Sequence, residues 1–245
     1  MSIKDKLIRH QILLQRLSEN QYESMVPFLD AVLLRAFERL GGKRYLSPAE
    51  AKNLEKELAT ILERMTIVTM ENLDDFAIYE SEFIARVLMG VKPDAQRITN
   101  SIRLRRMGIG LDVDRGSKSL PVTLRSFNAH KVREIAKKAR QIAIQGLSRE
   151  EAKQQFLAMG KLMRSQARSL SVTIVNHVAT VAKDITYMSN RNLIGKVMWS
   201  SVLDGNTTDY CREHNGIIYD IGEGPRPPAH FNCRSVMIAI LRTVT

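Results

Sequence analysis

The sequence predicts a mainly α-helical chain closed by a small C-terminal α+β module, and three observations support this. Apolar residues recur at helical spacing through the first ninety positions and again from His130 to Ser189. Two capping-box signals start helices within those stretches. After Gly195 the apolar pattern shortens into strand-like runs and turn residues crowd together. The chain thus divides into a helical docking region over 1–100, a basic linker and helical region over 101–195, and a β-rich hairpin knuckle over 196–245.

Each element has its residues. Ile3, Leu7, Ile8, Ile12 and Leu14 open the first helix, and Gly41-Gly42 breaks it. Ser47 can cap the next, Pro48 suits its first position and Glu50 can close the box. Leu54, Leu58, Ile61, Leu62 and Met65 form its stripe, and the segment up to Gly90 is acidic. Residues 101–127 carry Gly108, Gly110, Gly116 and Pro121, which predicts a linker or extended arm that orders against a partner. Val132, Ile135, Ala136, Ala139, Ile142 and Ala143 restore the helical period until Gly146. Ser148 and Glu151 open another helix, and a final one runs over about 165–189 with Ile174, Val175, Val178, Ala182 and Ile185 inward. Three short β-like runs follow, around Val197 and Trp199, around Ile217 to Tyr219, and around Val236, Ile238 and Ile240.

Composition narrows the class. A chain of 245 residues can bury a core, and no apolar run approaches the roughly 18 residues a membrane span needs. The N-terminal residues lack the apolar stretch of a secretory signal. Two cysteines make no disulfide framework, so the expectation is a cytosolic chain with reduced thiols or a metal. The net charge of +11 is uneven: residues 97–168 hold 17 Lys+Arg against 5 Asp+Glu, and the remainder 20 against 21. Arg103, Arg105, Arg106, Lys131, Arg133, Lys137, Lys138 and Arg140 are therefore candidates to meet a polyanion, the alternative being a solvated basic face.

The terminal module concentrates the distinctive chemistry. Cys211-x-x-His214 and His230-x-x-Cys233 are two short ligand pairs, and thiolate with imidazole suits tetrahedral zinc. The alternative is two small buried cysteines, a His230 bonded to the loop backbone and an exposed His214. Cys211 with His230 and Asn232 has the residue types of a thiol protease, but Cys211 is expected to precede a hairpin and not to head a helix. A ββα-metal nuclease would need a helix where 236–244 reads as strand.

Asp204, Thr207, Cys211, Gly216 and Tyr219, followed by Gly224-Pro225-Arg226-Pro227-Pro228, His230 and Asn232-Cys233-Arg234-Ser235, resemble the closing signature of the phage Mu F-like minor head proteins. Residues 196–240 carry the resemblance closely, and 125–195 fit it in order and character. Asp204, Thr207, Gly216, Pro228, Asn232 and Arg234 are its structural motif residues. Thr208 and Ser235 stand where many relatives have further cysteines, and residues 171–176 stand near a helix motif this chain lacks. The lean is accordingly to a metal-free knuckle, with His230 and Arg234 fastening the proline loop to the backbone.

The resemblance implies a minor capsid protein acting in head morphogenesis, at the portal vertex of the virion, and made in the host cytoplasm. It implies no enzyme and no cofactor beyond that open question of zinc. Its partners would be the portal or major capsid protein and packaged double-stranded DNA bound without sequence preference, with no membrane in the assembled head. The competing class is a non-specific nucleic-acid-binding protein with a C-terminal zinc knuckle. Aromatic content of 6% offers few stacking platforms for it.

Overall fold

The computed structural model describes residues 3–88, 95–104 and 118–242. Among these residues six helices precede, or are inserted in, one antiparallel sheet: α1 (Ile3–Leu40), α2 (Pro48–Val87), α3 (Ala95–Leu104), α4 (Leu120–Gln145), α5 (Arg149–Ser189), β1 (Ile194–Ser200), α6 (Asp209–His214), β2 (Ile218–Asp220) and β3 (Val236–Leu241). The architecture is thus mainly α with a small α+β end. No described helix is long and apolar enough to cross a membrane.

Both capping boxes form. Ser47 Oγ accepts from the Glu50 amide at 3.2 Å while Glu50 accepts from the Ser47 amide at 2.9 Å. Ser148 and Glu151 repeat this at 3.3 and 2.8 Å. The helix that Ser148 opens does not stop before residue 165: α5 is continuous over 41 residues through Gly160. A Cβ at Gly160 would lie 3.0 Å from Leu33 Cδ1, so the missing side chain is what lets α1 approach.

The expected arm over 101–127 is corrected at both ends. Arg103 and Leu104 complete α3, and Leu120 begins α4. Ile98 and Ile102 bury one stripe of α3, Leu120 and Leu124 one stripe of α4, and these short i, i+4 pairs outweigh the neighbouring glycines. Pro121 sits in the first turn of α4, where its missing N–H costs no helical bond. Residues 105–117, including Arg105 and Arg106, lie outside the described residues.

The chain forms two compact units. Unit 2 comprises Gln21–Met70 and Pro121–Arg168. It buries Leu29, Val32 and Ala36 of α1, Leu54, Leu58 and Leu62 of α2, and Ile135, Ala139 and Phe156 of α4 and α5. Unit 1 comprises Met1–Asn20, Glu71–Leu120 and Ser169–Thr245, and contains the sheet. Strand order is β2-β1-β3, with β1 pairing antiparallel to both neighbours. Val197 pairs with Tyr219 on one side and Ala239 on the other. β3 is buried on both faces from Val236 to Ala239, so it reads as a continuous apolar run and not as an alternating one.

Unit 1 also buries charge. His10 Nε2 donates to Glu80 at 2.5 Å, and Lys183 Nζ pairs with the same carboxylate at 3.2 Å. All three side chains are at most 2% exposed. Burial pushes the Glu80 carboxyl up, but Lys183 and His10 together hold it below its usual range.

Candidate functional site

The terminal module is built around β1 and fastened to α5. Trp199, fully buried on β1, donates from its indole to Ser201 Oγ at 2.9 Å. Ser201 in turn donates to the Cys211 carbonyl at 2.8 Å and meets Ser235 Oγ at 2.9 Å, so one hydroxyl joins β1, α6 and the start of β3. The loop before α6 is closed by the motif residues. Asp204 accepts from the Asn206 amide at 2.9 Å, and its own amide donates to Thr207 Oγ1 at 2.9 Å. Arg234 grips the Asp204 carboxylate with two bonds of 2.6 Å. That fork, with the Asn206 amide and Thr207, holds Asp204 well below the usual carboxylate range.

Gly216 has φ of +88° and turns the chain from α6 into β2, where a side chain would be strained. Gly224, with φ of +73°, is tighter still: a Cβ there would fall 2.2 Å from the Tyr219 ring. Pro228, joined to Pro227 by a cis bond, is buried. Asn232 adopts φ of +61°, which asparagine tolerates better than most residues, and its amide donates to Thr173 Oγ1 of α5 at 3.1 Å. Asn176, one helical turn on, donates to the Cys233 carbonyl. Asp184 of α5 accepts from Arg226 of the proline loop at 3.2 Å. The sequence does not single out Thr173, Asn176 and Asp184 as site residues, beyond placing residues 171–176 beside the missing motif. Their role depends on partners 42 to 59 residues away, which spacing does not reveal.

Three of the four candidate metal ligands meet. The donor atoms of Cys211, His230 and Cys233 all lie within 4.8 Å of one another. The two sulfurs are 3.8 Å apart, and His230 Nε2 is 3.2 Å from Cys211 Sγ. His230 Nδ1 donates to the Phe231 carbonyl at 2.8 Å, which fixes the ring with Nε2 towards the Cys211 sulfur. Thr208 Oγ1 is 3.0 Å from the same nitrogen. His214 turns away: its Nδ1 donates to the Tyr210 carbonyl at 2.8 Å and its ring stacks on Tyr210 at 4.0 Å.

The hydrogen bond from Cys211, together with the backbone of Ala229 and Ser235, brings the Cys233 thiol down to about 6 against the cost of burial. Its donor role and burial push Cys211 up to about 12. Contrary to expectation, Cys211 does not precede a hairpin directly. It is the third residue of the six-residue α6, capped by Thr208. A thiol-protease arrangement also lacks its third member, since the His230 Nδ1 proton goes to a backbone carbonyl and not to Asn232. Arg234 likewise departs from expectation by gripping Asp204, where a backbone contact had been expected.

The basic residues differ in their surroundings. Arg103 pairs with Asp74, Lys138 with Gln155 at 2.5 Å and Arg140 with Glu55 at 3.2 Å. Lys131 corrects the surface reading outright. It is 1% exposed, and its ammonium meets Glu134 and Gln166. Arg133 and Lys137 are exposed, with no ion-pair partner among the described residues.

The family described as Phage Mu protein F like protein matches residues 133–238. Over this stretch the chain is similar to the phage Mu F-like family. The match runs from within α4 through α5 to β3, so it covers the whole cysteine–histidine cluster and the α5 residues that fasten it. The resemblance carried by the terminal signature stands, and with it a bacteriophage head morphogenesis protein, for which the family implies a place in the virion. No curated protein and no solved structure matches the chain.

Proposed function

We propose that this Mu F-like protein is a minor, non-enzymatic component of the phage head, acting at the portal vertex in assembly. The family match over residues 133–238 carries the reading. The local geometry agrees with it: the module's polar side chains are spent on one another and on the backbone, as suits a rigid docking end. Arg133 and Lys137 on the exposed side of α4 suit contact with packaged DNA through its phosphates. Partners on this reading are the portal or capsid shell, and double-stranded DNA without sequence preference.

The test is composition and location. Purified heads of the phage that encodes the protein should contain it in few copies, and heads made without the gene should be defective. Its absence from complete heads would overturn the proposal. For the DNA contact, Arg133→Glu with Lys137→Glu should weaken binding equally across sequences and lower the salt slope by about 2. An unchanged slope would assign that face to an acidic protein.

A further inference from the structure

We propose that Cys211, His230 and Cys233 bind one zinc ion through three protein ligands, with the fourth position open to solvent and His214 taking no part. Around tetrahedral zinc, with bonds of about 2.3 Å to sulfur and about 2.0 Å to nitrogen, two sulfurs lie about 3.8 Å apart and a nitrogen and a sulfur about 3.5 Å apart. The sulfurs here are 3.8 Å apart, and Cys211 Sγ is 3.2 Å from His230 Nε2. The third pair, His230 and Cys233, lies within 4.8 Å, so zinc needs the imidazole and the Cys233 sulfur to close by no more than roughly 1.3 Å.

The surroundings favour the ion in a second, independent way. A metal-binding histidine characteristically donates its other ring N–H to a carbonyl or carboxylate, which fixes the tautomer and the ring plane. His230 Nδ1 does this with the Phe231 carbonyl at 2.8 Å. The Cys233 carbonyl is held by Asn176, and the Cys211 carbonyl by Ser201 at 2.8 Å, so both cysteine backbones are fixed before any ion arrives. Both sulfurs are buried while the histidine is partly open. Beside the cluster lies a cleft of about 10 Å³, lined by Val202, Thr207, Thr208, Cys211, His230 and Arg234 among others, with room for one water-sized ligand. The ion would tie α6, the proline loop and the root of β3 into one closed ring. Three soft and borderline donors with one open position suit zinc better than calcium or magnesium, which take oxygen ligands.

The experiment uses the full chain, reduced and freed of metal, reconstituted with zinc or with cobalt(II) as a spectroscopic stand-in. One equivalent of zinc per chain is expected, and cobalt should show tetrahedral visible bands with sulfur-to-cobalt charge transfer. Cys233→Ser and Cys211→Ser should lose the charge-transfer intensity, and His214→Ala should keep stoichiometry and spectrum. Substoichiometric zinc with no charge-transfer band in the wild-type chain would overturn the site, whatever the variants do. Loss of the ion in His214→Ala with unchanged far-ultraviolet circular dichroism would overturn the three-ligand assignment.

Discussion

Unit 1 buries Glu80, Lys183 and Asp184, each against an opposite charge, whereas the carboxylates of unit 2 meet their arginines at or near the surface. Arg35 and Arg39 share Glu57, Arg140 takes Glu55 and Arg164 takes Asp30, with side chains 28–48% exposed. The difference decides what each unit depends on. A buried pair fails badly when one partner goes, because the other is left unpaired without water. A surface pair is rehydrated at little cost. Unit 1 should therefore be sensitive to its charges, and unit 2, apart from the buried Lys131 paired with Glu134, mainly to its apolar packing.

The largest effect should come from Glu80→Gln, which leaves the Lys183 ammonium buried and unpaired. It should cost about 3–5 kcal/mol in chemical denaturation. A loss below about 1 kcal/mol would erase the distinction between the units. Leu58→Ala, at a fully buried position of unit 2, should cost about 2–5 kcal/mol and respond little to added salt.

Acid should next separate the buried charges of unit 1 from its surface pair. Glu80 is held below its usual range when folded, so its contribution is complete above the unfolded carboxyl pKa of about 4.3 and is lost as pH falls through that value and then the folded one. Asp204 behaves alike, but its pair with Arg234 is partly open to water. High salt should therefore blunt the acid sensitivity due to Asp204 and leave that due to Glu80, as read by denaturation midpoints of Glu80→Gln and Asp204→Asn across pH. Least of all, Arg164→Ala should change stability by about 0–1 kcal/mol, and a loss near that of Glu80→Gln would break the comparison from the other side.

What was legible in the sequence follows from the range of the interactions. Ser47 with Glu50 and Ser148 with Glu151 are contacts three residues long, and both were read correctly. The strands were legible from a change of period. The helix α6 was not, because six residues make too few turns to show a period, and Thr208 as its cap looked only like a missing cysteine. The pairing of Cys211 with His230 and Cys233 followed from rare residue types at short spacing. The same spacing put His214 in the set, and only the Tyr210 carbonyl and ring take it out. Lys131 reads as one basic residue among many, yet Gln166 on the neighbouring helix receives it at 2.5 Å in the interior. Glu80, His10 and Lys183 come from three distant segments, so nothing local announces them.

Trp199 is the chain's single tryptophan, lies wholly in unit 1 and is surrounded by Tyr210 and His214 at 6.1 and 5.4 Å. Its emission is thus a built-in reporter for one unit alone, while far-ultraviolet circular dichroism weighs the helices of both. Melting curves from the two signals need no label to tell whether the chain unfolds in one step or two. Superimposable curves mean that the two units unfold as one cooperative body.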